Sequence, residues 1–227
     1  MPKKLQYCRT LIITGIGLIL SSLGADDFWS KAMDIHYQHR VAFFNSLKIR
    51  QGSRVFIGDS ITEQCIWNEL FDDNSLINRG IGGDVTEKLF DRLDFLDSTN
   101  PSTVFLMIGT NDLGQNKSLD EIIKNYQKIV EKLSEKLPNA VIYMQSILPI
   151  NQNLFFMKRD YYSNENIDLL NEMIQKFEKD NVRYLELNKF FKDKNGNLDI
   201  KYSSDGLHLN GDGYQKWKDI FIQANII

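Results

Sequence analysis

Residues 103–108, Thr-Val-Phe-Leu-Met-Ile, form an apolar run with no polar residue after its first position, and the run stops at Gly109. A strand with one face in water alternates apolar with polar residues, whereas a continuous run must be covered on both faces. That is the condition of a strand inside a parallel sheet. Val55, Phe56 and Ile57 read the same way, and shorter strand signals stand at residues 75–78, 140–147 and 182–187. Helical periods lie between them. Leu119, Ile122, Ile123, Tyr126, Ile129, Val130, Leu133 and Leu137 recur at three and four behind a capping box of Ser118 and Glu121, and Pro138-Asn139 breaks the helix. Further helices are expected along Met33, Tyr37, Val41, Phe44 and Leu47, along Ile167, Leu170, Ile174 and Phe177, and along Tyr214, Trp217, Ile220 and Phe221. Strands alternating with helices predict an α/β domain with helices on both faces of a parallel sheet.

The 227 residues suffice for one such domain without disulfide or metal staples. A formal charge of -3 and the lack of a long basic run argue against nucleic acid as a partner. Three His and two Cys stand without ligand spacing, so no metal site is expected. Lys3, Lys4 and Arg9 precede an apolar stretch at residues 11–20, followed by the small residues Ser21, Ser22, Gly24 and Ala25. This is the order of a secretory signal. The apolar run is shorter than the roughly 20 residues of a spanning helix, and an uncleaved anchor through residues 11–23 is the competing reading. The expectation is therefore a signal peptide or anchor at residues 1–25 and one domain at 26–227, exported to the periplasm or secreted. Membrane contact would come only through that first segment. Cys8 lies within it, so no disulfide with Cys65 is expected. No signal for an oligomeric state is present.

Three of the chemistry-bearing stretches, those of Ser60, Gly83 and Asn111, sit where strands end. Gly58-Asp59-Ser60 closes an apolar run, and helix formers continue to Leu70. Ser60 is thus at a strand-to-helix turn, beside amides that have no internal partners and can stabilise an oxyanion. It is a candidate nucleophile, or else a helix cap. Gly80-Ile81-Gly82-Gly83-Asp84 removes side chains so that backbone amides can approach a ligand, though its spacing is not the dinucleotide fingerprint. Asp84 and Glu87 are expected to box a helix running through Leu93. Asn111 follows the strongest strand and is either an amide donor or a turn former. Asp205 precedes His208 by three, close enough to orient its ring on one tight turn. Residues 148–162, with Phe155, Phe156, Lys158, Arg159, Tyr161 and Tyr162, are a substrate-facing flap or a packed connection. A doubly wound sheet would gather these strand ends into one crevice.

Gly58-Asp59-Ser60, the Gly80 to Asp84 loop, Gly109-Thr110-Asn111-Asp112 and Asp205-Gly206-Leu207-His208 together resemble the SGNH subgroup of the GDSL esterase/lipase family, over about residues 52–225. The run from Asn78 to Asp84 looks like the platelet-activating-factor acetylhydrolase-like bacterial members. The resemblance implies a flavodoxin-like three-layer α/β/α sandwich with about five parallel strands. It implies Ser60 as nucleophile, His208 as base and Asp205 as its partner. The oxyanion hole would be the Ser60 amide, the Gly83 amide and the Asn111 side chain, with the choice between Gly82 and Gly83 open. A serine esterase without metal or organic cofactor follows, acting through an acyl-enzyme on a small-molecule or glycan ester. No large insertion builds a deep lipid pocket, so the expected substrate is a short-acyl, acetyl-type ester of a carbohydrate or similar small alcohol. A lysophospholipase or thioesterase, or a secreted glycan-binding protein without turnover, are the alternatives.

Overall fold

The computed structural model describes residues 28–96, 99–155 and 161–227. Contacts divide the chain into two compact units, Met1–Arg40 and Val41–Ile227. Helix α1 occupies residues 28–46. Of the apolar series expected on it, Phe44 is buried, with the Arg79 guanidinium 4.8 Å from its ring centroid, whereas Met33 and Leu47 are exposed. The expected signal or anchor at residues 1–25 lies outside the described residues. Among the described residues, no helix is long and apolar enough to cross a membrane.

The second unit is built on five parallel strands, β1 Arg54–Gly58, β2 Leu76–Gly80, β3 Thr103–Met107, β4 Val141–Gln145 and β5 Val182–Leu185, in the order β2-β1-β3-β4-β5. Helices α2 Ser60–Glu63 and α3 Trp67–Phe71 connect β1 to β2, and α4 Thr86–Asp91 connects β2 to β3. Next come α5 Thr110–Gly114 and α6 Leu119–Lys136, then α7 Asn164–Gln175 between β4 and β5, and finally α8 Asn188–Phe191 and α9 Gly211–Gln223. Crossovers between parallel strands are right-handed, so the outward step from β1 to β2 and the return steps toward β5 put their helices on opposite faces. The packing follows that rule: α4 lies against α6 and α6 against α7, while α3 lies against α9.

The core forms where the unbroken apolar strands lie. Val55, Phe56 and Ile57 of β1 and Val104, Phe105 and Leu106 of β3 are fully buried. Phe56 stacks on Trp67 at 3.8 Å and on Phe105 at 4.5 Å, and Trp67 meets Trp217 edge-on at 5.2 Å, which fastens α3 and α9 to this face. The long apolar series of α6 is core as well, and Ser118 Oγ accepts the Glu121 N–H at 3.3 Å at its start. In the segment after β4, Phe155 and Tyr162 are buried and pack edge to face at 5.2 Å, while residues 156–160 lie outside the described set.

Two local expectations are corrected. Helix α2 stops at Glu63 rather than running to Leu70. The Asn78 side-chain amide donates to the carbonyls of Thr62, Glu63 and Cys65 at 2.9, 3.0 and 2.8 Å, and the Trp67 indole N–H also donates to Thr62 O. Carbonyls engaged this way no longer serve a continuing helix. The Asp84–Glu87 capping box does not form either. Val85 is the N-cap of α4 without a side-chain cap, and the helix ends at Asp91. The Asp84 carboxylate is taken by Arg92 Nε at 2.7 Å, and the Thr86 N–H donates to Asp112 Oδ2 at 3.0 Å. A buried guanidinium needs its counter-charge more than an amide needs a cap.

Candidate active site

Register pairs Gly58 with Gly80 on one side and with Met107 on the other, so the turns after β1, β2 and β3 leave the sheet side by side. The chain order reverses between β1 and β3, and in open α/β sheets that is where a crevice opens. Ser60 is the first residue of α2, and the cap of that helix is Asp59, whose Oδ1 accepts the Ile61 N–H at 3.0 Å. Relieved of capping, Ser60 Oγ lies 3.0 Å from His208 Nε2.

The His208 turn is tied to its own carboxylate. Asp205 Oδ1 accepts the backbone N–H groups of Leu207 and His208 at 2.9 and 2.8 Å, and Asp205 Oδ2 accepts from His208 Nδ1 at 2.6 Å. With the Nδ1 proton committed there, Nε2 offers its lone pair to the Ser60 hydroxyl. Gly206 makes the turn possible: its φ is +83°, and a Cβ would stand 2.8 Å from Asn151 O. Its carbonyl accepts the Asn151 N–H at 2.8 Å, which seats the turn on the segment after β4. Partial burial works to raise the Asp205 pKa. The His208 ring and the two amides outweigh it and hold the carboxyl below its ordinary value. The Asp205 and His208 side chains remain 46% and 30% exposed, so this side of the site is open to water.

On the other side are the donors. The Gly82 N–H donates to Glu63 Oε2 at 2.7 Å. Gly83, at φ +75°, keeps its N–H out of the backbone hydrogen bonds among the described residues. That geometry separates two glycines which residue type alone does not. Asn111 Nδ2 donates one proton to Asp84 O at 2.9 Å, which orients the amide beside Gly83 and leaves its second N–H. The Ser60 N–H, at the first position of α2, has no partner within the helix.

Several supporting residues escaped sequence reasoning. Arg92 is buried; its Nη2 donates to Gly58 O at 3.0 Å while its Nε holds Asp84, so one side chain joins the turn before Ser60 to the loop before α4. Its signal was position: it falls beside Leu89 and Leu93 on the apolar face of the expected helix. The Tyr162 and Thr110 hydroxyls are 2.6 Å apart, linking the segment after β4 to α5. Beneath the site lie the carboxyls of Asp59, Asp84 and Asp112. Burial pushes Asp59 up to about 7, partly offset by the Ile61 amide and reinforced by its two acidic neighbours. Burial pushes Asp84 up to about 6 against the pull of Arg92. Among the described residues, no group of three or more His, Cys, Asp and Glu side chains is placed to hold a metal ion. Cys65 is a free, buried thiol, and burial pushes its pKa up to about 12.

The family model for the GDSL-like lipase/acylhydrolase family matches residues 56–216, a span that holds Ser60, Gly83, Asn111, Asp205 and His208. The chain belongs to this family. As a GDSL-like acylhydrolase it is a hydrolase acting on ester bonds. Rat platelet-activating factor acetylhydrolase IB subunit alpha2 is 28% identical to it over 198 residues, 84% of this chain and 80% of that protein. A solved Streptococcus pneumoniae structure, provisionally described as a platelet activating factor, aligns with a TM-score of 0.79 at 28% identity over 88% of this chain and 97% of that one. The acetyl xylan esterase AlAXEase shares the fold with a TM-score of 0.62 at 24% identity, over 75% and 98% of the two chains.

Proposed function

We propose that this GDSL-like acylhydrolase removes short, acetyl-type acyl groups from a carbohydrate or similar small alcohol through an acyl-enzyme on Ser60. The observation that carries the proposal is the hydrogen-bonded series from Ser60 Oγ to His208 Nε2 and from His208 Nδ1 to Asp205 Oδ2. Ser60 Oγ attacks the ester carbonyl carbon as His208 Nε2 takes its proton, and the carbonyl electrons move onto the oxygen. The Ser60 and Gly83 amides and the Asn111 side chain donate to that oxyanion. Collapse breaks the bond to the alcohol oxygen, which receives the proton from His208. Water then attacks the acyl-enzyme by the same route, releasing the acid and restoring Ser60.

Acetyl is the acyl group named in both the rat acetylhydrolase and the acetyl xylan esterase to which this chain is similar. The exposure of the Asp205 and His208 side chains supports a large hydrated leaving group, as a glycan would be. A series of p-nitrophenyl esters from acetyl to decanoyl, with acetate release from acetylated oligosaccharides, tests the reading. kcat/KM is expected to peak at acetyl and fall by about tenfold or more at octanoyl, and Ser60→Ala is expected to abolish turnover. A maximum at long acyl chains would favour a lysophospholipase or thioesterase. Unchanged hydrolysis by the Ser60→Ala protein would overturn the serine mechanism.

A further inference from the structure

Glu63 lies within the turn that follows Ser60, and its side chain does not enter the hydrogen-bonded series of Ser60, His208 and Asp205. Instead its Oε2 accepts the Gly82 N–H at 2.7 Å. A carboxylate acceptor makes this a charge-assisted bond, stronger than the usual amide pairing. The same residue meets the start of the loop. A Cβ on Gly80 would collide with the backbone nitrogen of Glu63, so the loop backbone rests directly on α2 there. Asn78 completes the clamp, donating to Glu63 O at 3.0 Å while its Oδ1 accepts the Gly80 N–H at 2.8 Å.

We infer that Glu63 is a positioning residue that aims the Gly83 amide at the developing oxyanion. The inference rests on the esterase reading above. Once the Gly82 N–H is held, only the φ and ψ of Gly82 separate it from the direction of the Gly83 N–H. Both residues are glycines, so no Cβ restricts those torsions; within the loop the turn bond from the Asp84 N–H to Ile81 O at 3.2 Å spans them, and the Glu63 bond adds a restraint from outside. A donor aimed before the reaction costs no reorganisation in the transition state, and a displacement of about 1 Å costs on the order of a hundredfold in rate.

Reach and charge are separable at this position. Glu63→Gln keeps an acceptor oxygen at the same distance without the charge, whereas Glu63→Asp keeps the charge but is one methylene too short for Gly82. If Glu63 aims the donor, Glu63→Asp and Glu63→Ala lose about ten- to hundredfold in kcat with KM within about twofold, and Glu63→Gln returns to within about threefold of the natural protein. The rate of labelling by a fluorophosphonate ester follows the same order, with the thermal midpoint of each variant recorded alongside. Glu63→Asp as active as the natural protein, or Glu63→Gln as impaired as Glu63→Ala, overturns the inference. Failure of the natural protein to label, with Ser60→Ala as control, overturns the esterase reading itself, so the two failures are distinguishable.

Discussion

At Asn111 one side-chain proton goes to the Asp84 carbonyl, and in the proposed mechanism the other donates to the oxyanion. An amide restrained in this way is a preorganised donor, and loss of one such donor from an oxyanion site costs on the order of a hundredfold or more in kcat. Asn111→Ala is therefore expected to lose at least about a hundredfold in steady-state kcat, with a smaller change in KM. A variant that loses only in KM would assign Asn111 to substrate binding instead. Ser60 and Asn111 were legible as candidates by residue type and by place at a strand end, Asp205 and His208 by their spacing of three. Asp59 was not read as the α2 cap, since Asp and Ser stand side by side and both suit the role. Gly82 and Gly83 were indistinguishable until the Glu63 bond engaged one of them.

At the scale of elements, α4 departs most from its sequence reading. Its expected capping carboxylate serves Arg92, whose side chain is 1% exposed and which also donates to Gly58 O. Arg92→Leu would leave Asp84 buried without its cation, a change expected to destabilise the fold by about 3–5 kcal/mol. Urea unfolding of the variant at pH 7 measures it, and a loss below about 1 kcal/mol would mean that the pair contributes little. The early end of α2 has a similar origin. Helix propensity through Leu70 is a weak local preference, and it yields to the Asn78 amide arriving from β2. Strands β1 and β3 needed no such contact to be read, because their runs buried on both faces, residues 55–57 and 104–107, are apolar throughout.

For the molecule as a whole, the buried acids predict how stability responds to pH. Asp59 titrates at about 7 in the fold, against an ordinary value of 3.8. Between those values the folded chain keeps a proton that the unfolded chain has released, so stability falls as pH rises through this window, and the loss is complete above about 7. Asp84, at about 6, acts in the same direction. Asp59→Asn keeps an oxygen for the Ile61 amide and removes the titration. Its stability curve is expected to be flatter than that of the natural protein between pH 5 and 8, gaining on it toward pH 8. Parallel curves from denaturant unfolding would show that Asp59 ionises in the fold as freely as in the unfolded chain. The alternation of apolar strands and amphipathic helices, and the order of the Ser60, Gly83, Asn111 and Asp205–His208 blocks, were determined by sequence, because burial on two faces and acyl-transfer chemistry both demand particular residue types. Only the tertiary structure decided which glycine amide is left open, which carboxylate Arg92 holds and where α2 ends, because each depends on a side chain from a distant segment competing for the same hydrogen bond.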